Sequence, residues 1–161
     1  MIAEIGINHD GDMDKARRLI QQSRDAGCKG IKFQYRNIKT AYASGANEIG
    51  DEIILTQIKR TYLDASEILE LRDFARSIGI DAGISFFTTE DLRDFDNLST
   101  DFDFFKIPSA ELLNLKLIKT LLDTKKHVYI SVGMHNESEI EYVFNEINAY
   151  ENWTPLHCIS N

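Results

Sequence analysis

The stretch Asp103-Phe104-Phe105-Lys106-Ile107-Pro108-Ser109-Ala110-Glu111 decides the predicted fold. Its apolar run is typical of a strand that is buried on both faces of a parallel sheet, and Pro108 ends the strand. A helix is predicted over Leu112–Asp123, where apolar residues take up helical spacing. A lysine at the carboxyl end of a buried strand is costly unless it meets an anion or its stem carries the charge to solvent. Because α/β proteins bind ligands at this end of the sheet, Lys106, Ser109 and Glu111 are candidate site residues.

The same strand–helix pattern recurs along the whole chain. The predicted strands are Ile2–Ile7, Gly30–Gln34, Asp81–Phe87, Asp103–Ile107, His127–Ser131 and Trp153–Cys158. The predicted helices run from an N-cap at Asp12 to Gly27, from a cap at Asp64 or Ser66 to Gly79, over Thr89–Asn97 and Leu112–Asp123, and from a cap at Asn136 or Ser138 to Ile147. Residues 35–62 are predicted to form a long loop with a short helix near residues 52–60.

Alternation of strands and helices predicts a parallel sheet with right-handed crossovers, which leaves two closures open. One is a doubly wound sheet and the other is a (β/α)₈ TIM barrel. No Gly-x-Gly-x-x-Gly follows the first strand and no Walker-type loop is present, which argues against a dinucleotide or nucleotide fold. Most predicted strands end in a polar residue. This is typical of barrel enzymes, whose catalytic groups come from the carboxyl ends of several strands. We therefore expect the chain, residues 1–161, to be one partial barrel domain with the first six strands and five helices.

Composition narrows the class of protein. The chain has 161 residues, 43% of them hydrophobic, with a formal net charge of -8 and a pI of about 5.0. An acidic chain of this kind is not expected to bind nucleic acid. No apolar run has the length of a membrane span and no signal peptide is evident, so no membrane partner is expected. Cys28 and Cys158 lie far apart without metal-site spacing, which favours a reduced, cytoplasmic location.

The candidate residues suggest chemistry on a small anion. Lys32 and Lys106 occupy equivalent places in two apolar strands, with serines at neighbouring strand ends. Such a set suits a phosphate, a carboxylate or both. Glu4 lies inside an apolar strand, where a carboxylate is rare unless it is paired or functional; the alternative is a glutamate on an outward-facing position. Beside an anion, Glu4 and Glu111 would serve in acid–base work and in binding hydroxyls.

Five segments together resemble the sialic acid synthase family, in the family's order and across the whole chain. They are Ile2–Gly11 (IAEIGINHDG), Ile31–Gln34 (IKFQ), Phe105–Glu111 (FKIPSAE), Ile130–Met134 (ISVGM) and Leu156–Asn161 (LHCISN). The family condenses phosphoenolpyruvate with N-acetylmannosamine or a related hexosamine, giving a nonulosonic acid and phosphate. The resemblance implies a TIM-barrel transferase that depends on a divalent metal, Mn²⁺ or Mg²⁺, and forms a homodimer when complete.

The resemblance also implies roles for individual residues. Glu4, Lys32 and Lys106 match catalytic positions, with Glu4 at the reaction centre. Lys32, Lys106, Ser109, Ser131 and Asn161 match positions that hold the phosphate and carboxylate of phosphoenolpyruvate. Ser85 is assigned to substrate binding as well, and Gln34 and Glu111 match positions near the sugar.

The chain departs from the family pattern in several ways. Ser85-Phe86-Phe87-Thr88 stands where Ser-Thr-Pro-Phe is common, so a hydroxyl near the ligand is replaced by Phe86 unless Thr88 or Thr89 substitutes. Pro108-Ser109-Ala110-Glu111 stands where Gly-Ser-Gly-Glu is common. The last two β/α units, with the family's metal-binding histidines, and the C-terminal antifreeze-like domain have no counterpart within residues 1–161.

No metal ligands are therefore expected within this chain. His127 is predicted at the wrong end of its strand, His135 at a helix start and His157 inside the last strand as a core residue. His9 is predicted at the correct rim, but one ligand does not make a metal site.

Two other functions remain open from the sequence. The chain could belong to another barrel enzyme that uses phosphoenolpyruvate or a sugar phosphate, or it could be a truncated domain that binds an anion without turnover. The sequence also leaves open which sugar is used and whether it is a 6-phosphate. Six strands of a barrel leave the first and last as open edges, so residues 1–161 alone are not expected to form a stable monomer.

Overall fold

The computed structural model describes residues 1–37, 56 and 58–159. Its described strands form one six-stranded, fully parallel sheet whose spatial order is the chain order. The strands are β1 (Ile2–Gly6), β2 (Gly30–Gln34), β3 (Asp81–Ser85), β4 (Phe104–Ile107), β5 (His127–Ser131) and β6 (Trp153–Leu156).

The strand order decides between the two closures that the sequence left open. A doubly wound sheet reverses its strand order at a switch point, whereas a barrel adds each strand beside the previous one. The described sheet adds every strand in one direction, which is the strand order of a barrel. Within the described sheet, β1 and β6 each have one neighbour, and the two are its open edges, as predicted.

In the described part of the chain, the complete α-helices between the strands number five. They are α1 (Met13–Asp25), α2 (Ala65–Ser77), α3 (Leu98–Asp101), α4 (Leu115–Asp123) and α5 (Glu137–Glu146). Side chains cap the start of four of them: Asp12, Asp64, Asn114 and Asn136 each accept a backbone N–H of the first turn. At Asp64 and Asn136 the glutamate three residues later bonds back to the cap, which makes a full capping box. Within the described parts of the chain, no helix combines the length and apolar character needed to cross a membrane.

The structure corrects several predicted boundaries. A single helix over Thr89–Asn97 is wrong: a 3₁₀ helix covers Asp91–Asp94, and the short α3 follows it. The helix predicted to begin at Leu112 begins at Leu115, after a separate 3₁₀ helix over Ser109–Glu111. Ile7, Phe86–Phe87 and His157–Cys158 were predicted to be the ends of three strands, but β1, β3 and β6 end before them. Of the helix predicted near residues 52–60, the described residues 56 and 58–60 are helical, and the remainder lies outside the described residues.

Apolar residues on the outer face of the sheet pack under the helices. Phe86 lies at the centre of an aromatic cluster there, with edge or tilted ring contacts. Its ring partners are Tyr35, Phe95, Phe102 and Phe105. This layer of core fixes the outer face of β2, β3 and β4 and leaves their other face for the barrel interior.

Phe104 fills the amino-terminal part of the interior face. A Cβ atom on Gly83 would lie 2.2 Å from its ring, and one on Gly30 would lie 3.0 Å from it. Neither glycine has a positive φ, so their role here is to leave room for the ring. The interior is therefore closed below by an aromatic side chain and polar above it, toward the carboxyl ends of the strands.

Candidate functional site

Four of the predicted site residues meet on the interior face near the carboxyl ends of the strands. The Lys32 ammonium lies 3.3 Å from the Ser85 hydroxyl and 3.6 Å from a Glu4 carboxylate oxygen. Strand register places Glu4 beside Lys32 and Ser85 beside Lys106. The geometry thus brings two cations, a carboxylate and a hydroxyl together from four successive strands.

Lys32 is the charged residue of this group whose side chain is most buried. It is only 5% exposed, and the Glu4 side chain that pairs with it is 66% exposed. Burial lowers the pKa of Lys32, Glu4 partly offsets the effect, and the nearby charge of Lys106 lowers the pKa further. Two neighbouring ammonium groups in a partly dry interior are stabilised by any anion that lies between them.

The space beside these groups is large enough for a small substrate. A cavity of about 360 Å³ opens there, lined by Glu4, Lys32 and Lys106 together with apolar side chains. The apolar members are Met1, Ile2, Phe104, Tyr129 and Leu156. A cavity with a few converging polar groups on an apolar wall is the usual form of a small-molecule site.

A second group of predicted residues lies at the rim formed by the ends of β4, β5 and β6. The Ser109 hydroxyl lies 3.1 Å from the position that a Cβ of Gly133 would occupy, so Ser109 packs directly on this glycine. The Cys158 thiol donates to the hydroxyl of the buried Ser131 across 3.2 Å. A side chain at position 133 would also meet the Cys158 carbonyl at 2.7 Å. The close packing requires glycine at this point of the rim.

Gln34 and Glu111 lie on another side of the same rim. Gln34 and Arg36 line a smaller cavity of about 180 Å³ beside the segment that precedes α2. Burial raises the pKa of Glu111, while the Asn114 amide and the charge of Arg36 act in the opposite direction. The Arg36 guanidinium lies over the Phe87 ring, 3.5 Å from its centre. Arg36 therefore faces the region that the sequence assigns to the sugar.

Comparison with known proteins assigns the chain to a family. Residues 19–161 match the sequence model of the NeuB family. The chain belongs to the NeuB family. This confirms the resemblance to sialic acid synthases that its motifs predicted.

The named relatives agree with this assignment. The chain is 33% identical to N,N'-diacetyllegionaminic acid synthase of Campylobacter jejuni, over 98% of this chain and 50% of that protein. It is 27% identical to N-acetylneuraminate-9-phosphate synthase of Drosophila melanogaster, over 100% of this chain and 45% of that protein. The structure of a sialic acid synthetase of Leptospira borgpetersenii in complex with citrate superposes with a TM-score of 0.85 at 26% identity, covering 99% of this chain and 54% of that one. The chain spans about half the length of the relatives it matches.

The residues after β3 have local roles in the structure. Phe86 is fully buried in the outer aromatic cluster. The Thr88 hydroxyl accepts the backbone N–H of Asp91, and the Thr89 hydroxyl bonds to Glu90. The suggested substitutes are thus engaged in local contacts of the β3 loop.

Asp91 is a structural feature of this loop that the sequence analysis missed. It is 1% exposed, and its carboxylate accepts the backbone N–H groups of Asn37, Phe87 and Thr88 at 2.9–3.0 Å. It therefore ties the loop after β2 to the loop after β3. No sequence signal marks it, because an aspartate among other acidic residues is indistinguishable from a surface residue.

The four histidines are placed differently from one another. His127 starts β5 at the amino end of the sheet, as predicted, and contacts Thr154. His157 is exposed beyond the end of β6, so the prediction of a core histidine in that strand is wrong. His9 is buried in the turn after β1, where its Nδ1 accepts the Gly11 N–H and its Nε2 has no hydrogen-bond partner among the described residues. His135 precedes α5 and bonds to the carbonyl of Ser109.

The divalent metal implied by the sequence resemblance stays a prediction, with its ligands expected outside this chain. Among residues 1–37, 56 and 58–159, no three His, Cys, Asp or Glu side chains lie together as a metal site would require. Asn161, the remaining predicted substrate ligand, lies outside the described residues.

Proposed function

We propose that this chain belongs to a sialic acid synthase-type enzyme that condenses phosphoenolpyruvate with an N-acetylhexosamine. Within that enzyme it is the part that binds the anionic groups of phosphoenolpyruvate. The observation that carries the proposal is the pairing of the buried Lys32 with Ser85 and Glu4, next to Lys106, at the carboxyl ends of four adjacent strands. Membership of the NeuB family and the names of the relatives support the same reaction class.

In this proposal the two lysines hold the negative charges of phosphoenolpyruvate. Lys32 and Lys106 bind its phosphate or carboxylate, since ammonium groups in a partly dry cavity interact strongly with such anions. Ser85 binds beside Lys32, and Ser109 and Ser131 bind from the rim. Binding at several points holds the enol carbon in the orientation needed for attack. Such positioning lowers the activation barrier, because the entropy of bringing the reactants together is lost on binding.

The bond changes follow from the chemistry of an enol phosphate. The enol carbon attacks the open-chain aldehyde of the sugar, so a carbon–carbon bond forms and positive character develops at the phosphate-bearing carbon. The aldehyde oxygen takes up a proton and becomes a hydroxyl. Water then adds to the phosphate-bearing carbon, and in this proposal Glu4 takes a proton from that water. Cleavage of the C–O bond releases phosphate and leaves a 2-keto acid. Lys32, close to the leaving phosphate, stabilises the charge that it carries away.

A divalent metal would polarise the sugar aldehyde in the complete enzyme. Its ligands are expected beyond Asn161, and every residue role above is independent of it. Homodimer formation and a cytoplasmic location also remain proposals for the complete protein.

The identity of the sugar rests on the rim residues. Gln34 and Arg36 line one cavity at the rim, and the charge of Arg36 acts on Glu111, so the hydroxyl and acetamido groups of a hexosamine are assigned to this side. One relative is named for a diacetylated product and another for a 9-phosphate. Both a free sugar and its 6-phosphate are therefore candidates.

Anion binding by the protein tests the proposal directly. Calorimetric titration with phosphoenolpyruvate and with inorganic phosphate should show binding that Lys106→Ala weakens by about ten- to a hundredfold, the worth of a charge-assisted hydrogen bond. Lys29→Ala is the matched control, because Lys29 is exposed just before β2, at the opposite end of the sheet. Equal binding by the wild type and Lys106→Ala, with the fold intact by circular dichroism, would reject the proposed site.

Turnover separates the synthase from a non-catalytic anion-binding domain. In a polypeptide that includes the expected metal ligands, phosphate release should require phosphoenolpyruvate, a hexosamine and Mn²⁺ or Mg²⁺ together. Anion binding without phosphate release in that polypeptide would favour the non-catalytic alternative.

A further inference from the structure

We propose that His135 is a positioning residue that holds Ser109 in place for anion binding, and that it does so best when its ring carries both protons. This inference rests on the proposed function, because Ser109 is assigned to the substrate there. His135 itself is not placed in contact with substrate.

The contacts of the His135 ring are specific. Its Nε2 lies 2.8 Å from the carbonyl oxygen of Ser109, and its Nδ1 lies 3.2 Å from a carboxylate oxygen of Glu139. The side chain is only 13% exposed. A single ring thus joins the loop after β4 to the first turn of α5.

Both partners of the ring can only accept hydrogen bonds. A carbonyl oxygen has no proton to donate, and the Glu139 carboxylate already accepts the backbone N–H of Asn136 at 3.0 Å. The bond to Asn136 and the contact with His135 lower the pKa of Glu139, so this carboxylate is ionised. A neutral imidazole has one N–H and can satisfy only one of the two partners, whereas an imidazolium satisfies both.

The bond to Ser109 reaches the proposed site. The same Ser109 carbonyl accepts the Leu112 N–H at 3.2 Å, which closes the 3₁₀ helix Ser109–Glu111. The Ser109 hydroxyl packs on Gly133 at the rim. If the His135 bond is lost, the Ser109 carbonyl keeps only its bond from the Leu112 N–H. The Ser109 hydroxyl would then shift or populate several positions.

These linked hydrogen bonds predict that anion binding depends on pH. The charged or titratable group that faces the ring is Glu139 of α5, while the β4 loop presents a carbonyl to it. When the ring loses a proton, either the Ser109 bond is lost or the Nδ1 lone pair faces the Glu139 carboxylate. Both outcomes weaken the attachment of the Ser109 turn, so anion binding should decline.

The test compares four variants of the protein by calorimetric titration with inorganic phosphate across the pH range in which histidine titrates. His135→Ala removes both contacts and should weaken binding by about two- to tenfold, the effect of one lost hydrogen bond. His135→Gln places an amide N–H near the Nε2 position and should restore binding. His135→Asn is too short to reach Ser109 and should behave as alanine. His127→Gln, at the opposite end of β5, is the control.

The ratio of wild-type to His135→Gln affinity isolates the ring from the ionisation of phosphate, which is common to both proteins. We expect this ratio to fall as the pH rises, because glutamine keeps its N–H at every pH. A ratio independent of pH would overturn the requirement for two protons. Equal binding by the asparagine and glutamine variants would overturn the contact with Ser109.

A Lys106→Ala measurement in the same series distinguishes failure of the proposed anion site from failure of the positioning role of His135. If Lys106→Ala leaves binding unchanged, the proposed anion site is wrong, whatever His135 does. If Lys106→Ala weakens binding and His135→Ala, folded and at the same concentration, equals the wild type, the anion site stands and His135 has no positioning role.

Discussion

Replacing Lys32 by methionine should make the protein more stable while it abolishes anion binding. Methionine matches the length of the lysine stem and suits an apolar surrounding. A nearly fully buried ammonium costs several kcal/mol in desolvation even after local relaxation. Its ion pair with Glu4 returns little, about 0–1 kcal/mol, because that carboxylate is 66% exposed and screened by water.

The expected gain follows from these opposing contributions. The hydrogen bond to Ser85 is long, at 3.3 Å, and its loss offsets part of the relief. The neighbouring Lys106 adds repulsion that methionine removes. We expect Lys32→Met to raise the free energy of unfolding by about 1–3 kcal/mol, within the range seen when buried ion pairs are replaced by apolar residues. At this chain length each kcal/mol raises the melting temperature by about 2–4 °C.

The pH dependence provides an independent check on the cause. The pKa of Lys32 is lowered in the folded state from its ordinary value of 10.5, so the unfolded chain binds more protons in the window between the two values. The stability of the wild type should therefore rise relative to Lys32→Met as the pH increases through that window, and the difference between the proteins should shrink. Below the folded-state pKa the lysine is charged in both states and the difference is constant.

Urea denaturation of both proteins, at neutral pH and at rising pH, measures these quantities, and thermal melts with added phosphate measure the loss of binding. Phosphate should raise the melting temperature of the wild type and leave that of Lys32→Met unchanged. Destabilisation by more than about 1 kcal/mol on replacement would mean that Lys32 and Glu4 form a structural ion pair. The assignment of Lys32 to an anion site would then lose its energetic basis.

Two further substitutions test the scaffold around the site. Gly83→Ala should destabilise the protein by about 1–3 kcal/mol in urea denaturation, because the new Cβ would lie 2.2 Å from the Phe104 ring; a neutral effect would mean that the ring does not occupy the barrel interior. Asp91→Asn should cost about 2–4 kcal/mol, because the amide nitrogen of asparagine cannot accept the backbone N–H groups that the buried carboxylate binds. Asp96→Asn, at an exposed position of the same segment, is its comparison, and equal stability of the Asp91 variant and the wild type would show that these three bonds do not hold the loops together.

The site residues that could be predicted lie on strands, where side chains alternate between the two faces, or at the ends of strands. Side chains alternate between the two faces of a strand, so a lysine among apolar residues near the end of a parallel strand has few places to point. Lys32 and Lys106 were located in this way, and register brings their strands to the same rim through β3. Glu4 could be placed on the same face once β1 was recognised as the neighbour of β2.

The unpredicted part depends on contacts between loops that are distant in sequence. The bonds from Asp91 to Asn37 and from His135 to Ser109 join segments separated by 54 and 26 positions. No periodic pattern marks such residues, since each looks like an ordinary polar residue of a loop. The 3₁₀ helix at Asp91–Asp94 was missed for the same reason: the aspartate bonds to neighbouring loops rather than starting a longer helix.

The sequence by itself determined the alternation of strands and helices, three of the helix starts and the residues that stand at the strand ends, because these depend on local spacing and on caps within a few residues. Its motifs also determined the family. Only the tertiary structure decided that the strands add in one direction as in a barrel, that Phe104 closes the interior over two glycines, and that Lys32 is buried beside Ser85 and Glu4. These features depend on packing between segments far apart in the chain, and the free energies of burial and of charge that shape the site exist only once those segments meet.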